Sequence, residues 1–105
     1  MEDKNIDIFG TKYTIHIGDT IAVDKDSNTT TGLCDSSNSV ILIATKQPNE
    51  TDIPKEEINK NIWHELIHAI LNEGQYLNLS NDEPLVEWLA RCIYSLTKQD
   101  IKYEG

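Results

Sequence analysis

Basic side chains are scarce: nine Lys and Arg stand against eighteen Asp and Glu, a formal net charge of −9 over 105 residues. Neutralising a phosphate backbone takes clustered basic groups, and none cluster here, so no nucleic-acid partner is expected. Cysteine is nearly absent. Cys34 and Cys92 lie far apart, with neither the paired spacing of a zinc ribbon nor the density of a disulfide scaffold, so both are expected to be free thiols. Long hydrophobic runs are missing as well, since the longest aliphatic stretch, Val40-Ile41-Leu42-Ile43-Ala44, is far too short to span a bilayer. The opening residues Met1-Glu2-Asp3-Lys4-Asn5 are acidic and polar, where an export signal would be basic and then apolar. The expectation is a cytoplasmic protein with no membrane partner. A chain of this length makes one domain, 1–105, with a modest core and no separate substrate-binding lobe, so its site should be shallow and open.

What is present divides into a β-rich half, 1–45, and a helical half. Ile6 to Phe9, Tyr13 to Ile17, a stretch near Thr20 to Asp24, Thr29 to Cys34 and Ser39 to Thr45 read as strands. They are separated by turns at Gly10, at Gly18-Asp19, at Lys25 to Asn28 and at Asp35 to Asn38. This order predicts a β-meander. The strand Ser39 to Thr45 is apolar on both faces and should be well covered. A helix is expected from near Pro54 to about Glu73, stopping at Gly74, with Asp52 as a candidate cap and Glu56 and Glu57 complementing its dipole. Its apolar arc takes in Ile58, Ile62, Trp63, Leu66, Ile67, Ala69, Ile70 and Leu71. Gln75 to Leu79 reads as a loop. Ser80-Asn81-Asp82 offer caps for a second helix, about 82–98, with a buried stripe of Leu85, Leu89, Cys92 or Ile93, and Leu96. Trp63 and Trp88 read as contacts within the core or between the helices.

The chain has only three histidines, yet two of them fall in His64-Glu65-Leu66-Ile67-His68. From the chain's own composition such a pattern is expected by chance about 0.005 times. Positions i and i+4 share a helix face, so both imidazoles can reach one metal ion. Glu65 points about 100° around the helix from His64, where it can hold a metal-activated water as a general base. A catalytic zinc site usually takes a third protein ligand. His16 lies in the early strands, which leaves Glu83 and Glu87, four apart on one helical face. One can bind the metal while the other hydrogen-bonds the far nitrogen of a ligand imidazole.

His64-Glu65-Leu66-Ile67-His68-Ala69-Ile70-Leu71, followed by Glu83-Pro84-Leu85-Val86-Glu87-Trp88-Leu89-Ala90, resembles the two-helix core of small gluzincin-type metallopeptidases. The likeness is nearest to the ImmA/IrrE-like proteins and their minimal versions in phages and mobile elements, and covers roughly 39–95. It implies a zincin-like α+β fold: a small antiparallel or mixed sheet, then an active-site helix, then a glutamate-bearing helix. It implies Zn²⁺ on His64, His68 and Glu83, with Glu87 supporting a ligand; Glu87 stays open as the alternative third ligand, since it stands where the family has Asn or Asp and reaches a methylene further. The resemblance also likens Ser39 to Thr45 to the family's edge strand, along which an extended substrate pairs. The implied function is zinc-dependent peptide-bond hydrolysis, with Glu65 as general base and a protein or peptide substrate, a transcriptional regulator among the candidates. Two other functions fit these residues: an inactive or latent zinc-stapled interaction module, and a hydrolase of non-peptide amides.

Overall fold

The computed structural model describes residues 2–19, 21–22 and 29–105 and has an α+β architecture. Two strands open the chain, β1 (Glu2–Ile8) and β2 (Thr11–Ile17), and pair antiparallel with Ile6 opposite Tyr13. Both residues between them have positive φ, 47° at Phe9 and 99° at Gly10, the signature of a type I′ hairpin turn, whose twist matches the strands it joins. Glycine adopts this backbone freely, whereas phenylalanine is strained there, and the Phe9 ring is fully exposed. Phe9→Asn is therefore expected to raise stability by about 1 kcal/mol, since Asn tolerates the left-handed region. A chemical-denaturation midpoint no higher than that of the wild type would refute this.

The short pair β3 (Ile21–Ala22) and β4 (Thr29–Thr30) follows, then β5 (Gly32–Asp35) and β6 (Val40–Ile43). The expected strand near Thr20 to Asp24 is described only at 21–22, and the turn at Lys25 to Asn28 lies outside the described residues. The meander is not what forms. The main sheet has the order β1-β2-β6-β5, and β6 runs parallel to β2, with Ile15 opposite Ile41, and antiparallel to β5, with Cys34 opposite Ile41. The sheet is thus mixed, and β6, expected at an edge, is an inner strand with both sides paired. The reason is burial: Ile41 and Ile43 alternate on one face and are fully buried there with Tyr13, Ile15 and Ile17, so the most apolar strand gains most from the middle of the sheet. The outer strand on that side is β5.

Helix α1 (Lys55–Glu73) covers this face through Ala69, with Ile58, Ile62 and Leu66 around it. Its N-terminus has no side-chain cap; the backbone of Asp52 pairs with that of Lys46 in an isolated antiparallel bridge. Beyond Gly74, Gln75 takes a left-handed backbone (φ 66°), and the expected loop contains a single helical turn, α2 (Leu77–Ser80). Helix α3 (Glu83–Thr97) is capped by Asp82, whose carboxylate accepts from the Leu85 N–H at 3.2 Å. It meets α1 through Val86 and Ala90 against Ile67, with Trp63, Leu71, Leu89 and Ile93 alongside. The buried stripe of α3 is thus rotated from the expected one, because small and β-branched residues allow the helices close approach. Leu96 and Ile70 are exposed, and Trp88, expected in the core or between the helices, is 62% exposed.

Two polar ties fasten α1 to the sheet. The Tyr13 hydroxyl donates to Glu73 Oε2 at 2.8 Å, and Asn72 Nδ2 donates to Ser36 Oγ at 2.9 Å. Cys34 on β5 and Cys92 on α3 are free thiols. Among the described residues, no helix is long and apolar enough to cross a membrane.

Candidate functional site

Helical spacing puts His64 and His68 one turn apart on α1, facing the start of α3, with ring centroids 5.0 Å apart. The Asp82 cap and Pro84 fix the first turn of α3 and direct Glu83 back across the gap. Its two oxygens divide between the imidazoles: Oε2 is 3.0 Å from His64 Nε2, and Oε1 is 2.9 Å from His68 Nε2. Nitrogen and carboxylate lone pairs approach this closely only with a proton or a cation between them. One donor atom from each of the three residues lies within 4.8 Å of the others, compact enough for one divalent metal ion with donors near 2 Å from it.

The outer ring nitrogens are held as well. His64 Nδ1 donates to Glu87 Oε2 at 2.7 Å, and the other oxygen of Glu87 accepts from Arg91 Nε at 2.8 Å. Arg91 first, then His64, holds the Glu87 carboxyl below the ordinary range, so it is the ionised acceptor that fixes the ring's tautomer. His68 Nδ1 lies 3.1 Å from Ser80 Oγ. Burial pulls the His68 imidazole below its usual value, against the opposing effect of Glu83. The neutral ring is the form that coordinates metal.

Glu65 is brought to the same place from the other side of α1. It is only 8% exposed and lies against Gly32 of β5: a methyl group built on that glycine would come within 2.8 Å of Glu65 Oε2. Burial chiefly, with Glu83 adding to it and His64 opposing, pushes this carboxyl up to about 7, the range in which a group can both take and give a proton near neutrality. Glu65, His64, His68 and Glu83 line a cleft of about 430 Å³ open to solvent, walled by β5 through Gly32 to Cys34 and by Asn72, Ser80 and Asn81.

His64, Glu65, His68, Glu83 and Glu87 thus all lie in one cluster. Within it Glu83 faces both inner nitrogens, and Glu87 sits behind His64. His16 is elsewhere, paired with Asp3 at 2.7 Å on the β1–β2 hairpin. Sequence reasoning missed Ser80, read only as a cap, and Gly32, read only as part of a strand. The signal for Ser80 is its place twelve residues beyond His68, within reach once a short turn intervenes; for Gly32 there was none. Comparison of the chain with family models, with curated proteins and with solved structures gives no match in any of the three.

Proposed function

We propose that this chain is a zinc-dependent metallopeptidase of reduced, zincin-like architecture, similar to the ImmA/IrrE-like group, in which His64, His68 and Glu83 hold the metal. The observation that carries this reading is the convergence of both inner imidazole nitrogens on one carboxylate, with a second, buried carboxylate beside them. Two nitrogens and an oxygen make a donor set that suits zinc. When bound, the ion supplies Lewis acidity toward a carbonyl oxygen and a water molecule.

This chain's own groups do the rest. Glu65 takes the proton of the attacking water and passes it to the departing amine, a role for which a buried carboxylate with a raised proton affinity is suited. Glu87 and Ser80 hold the two ligand rings in the orientation that presents Nε2 inward. An extended peptide would pair with the outer edge of β5 rather than with β6, whose edges are both used within the sheet. Ala44 N donates to Thr31 O at 3.0 Å, so by antiparallel alternation Leu33 and Asp35 bond inward to β6 while the backbone of Cys34 is directed outward, beside the cleft.

A second reading is favoured by the position of Glu83, 63% exposed and on a different helix from the histidines: the metal would staple α1 to α3, and the protein would act by binding a partner.

Elemental analysis of variants purified side by side tests the ligand set. Glu83→Ala is expected to lose the metal. Glu87→Ala and Ser80→Ala are expected to keep it, with affinity lowered about 10- to 100-fold in a chelator competition, the usual cost of removing a group that orients a ligand. Metal lost from Glu87→Ala and retained in Glu83→Ala would exchange their roles.

A further inference from the structure

Gly32 and Glu65 are joined by a contact that the metal ligands do not explain. A Cβ on Gly32 would come within 2.8 Å of Glu65 Oε2, 2.9 Å of Cγ and 3.1 Å of Cδ. The backbone of Gly32 is not left-handed, so what glycine supplies at this position is space. An oxygen alone could swing aside, but Cγ is the second carbon of the side chain. Moving it means changing χ1 on a packed helix or parting α1 from β5. Glu65 is only 8% exposed and is held between the two elements.

We propose that Gly32 is a positioning residue: the missing side chain on the outer strand forms the seat that holds the Glu65 carboxylate beside the His64–His68–Glu83 group. The proposal rests on the metallopeptidase reading for its catalytic consequence. The contact itself does not.

The test is a double-mutant cycle of wild type, Gly32→Ala, Glu65→Ala and the double variant. Each is followed by thermal unfolding of the metal-free protein, and wild type and Gly32→Ala also by zinc content and by kcat and KM on an unfolded protein substrate. Alanine at position 32 is expected to lower the unfolding temperature when Glu65 is present, and not when the Glu65→Ala substitution has vacated the space, a non-additivity that reports direct contact. Gly32→Ala should keep its zinc and its KM while kcat falls about 10²-fold, the cost of a misplaced catalytic group. Additive shifts in unfolding temperature, or full kcat in Gly32→Ala, would overturn the proposal. So would a raised KM with kcat kept, which would place the effect on the strand. If Gly32→Ala alone does not fold, a folded double variant supports the seat and an unfolded one removes it. A wild type without zinc or hydrolysis defeats the metallopeptidase reading, while coupled unfolding temperatures would still establish the seat.

Discussion

Glu65→Gln is expected to lower hydrolysis by about 10²- to 10⁴-fold, the usual worth of a positioned general base, with metal content and fold unchanged. The amide has nearly the carboxylate's shape, so it can occupy the same space against Gly32, and it is not among the groups facing the inner imidazole nitrogens. What it cannot do is accept a proton from water. Zinc analysis of wild type and variant, together with hydrolysis of a panel of proteins and small amides, separates the functions this site could serve. Activity on proteins that vanishes in the variant supports the peptidase, and activity confined to small amides points to a different hydrolase. Activity in neither protein, with zinc in both, leaves the metal as a staple between helices. Absence of zinc from the wild type, even after loading, would remove the catalytic reading.

The same substitution is expected to stabilise the metal-free fold at pH 8. Burial raises the Glu65 carboxyl from its ordinary value of 4.5 to about 7, so between those values the folded state holds a proton that the unfolded chain has released. Stability therefore falls as pH rises through this window, and the whole penalty is present above about 7. A shift of this size corresponds to something on the order of 3 kcal/mol, reduced by the cost of burying the amide in its place. The difference in unfolding free energy between Glu65→Gln and wild type should thus be near its minimum at pH 4.5 and grow toward pH 8. Titrating groups outside this cluster are common to both proteins and cancel. A difference that stays flat across that range would contradict the account. Such a gain on removing a functional group is the familiar conflict between stability and activity at a strained or desolvated site.

The two long helices, α1 and α3, were legible in the sequence because their signals are local, whereas the single turn of α2 was not. Proline before α1, Asp82 with Pro84 at the start of α3, and the four-residue spacing of His64 and His68 all act within a turn or two. The cluster of metal-binding type was legible for the same reason, needing only that two helices meet. Strand order was not. The alternation in β2 and the apolar run in β6 are compatible with several neighbours, and the parallel β2–β6 pairing is decided by which arrangement buries Ile41 and Ile43 against α1. The stripe of α3 misled because the large residues Leu85 and Leu96 looked like the core, whereas the tight contact with α1 selects Val86 and Ala90. Gly32 and Ser80 act only through partners 33 and 12 residues away, and nothing in their own neighbourhood marks them.

The outer strand β5 is four residues long, about 13 Å of edge at the usual rise per residue. On the proposed reading, a segment wound into a helix or held in another sheet cannot lie along it. Such a surface would choose its targets by conformational state more than by side chains. The rate at which a folded protein is cut would then follow how often that protein opens locally, so its own unfolding equilibrium would set its lifetime. Destabilised variants of one target should disappear in the order of their instability, and the protein would act in effect as a sensor of loosened structure.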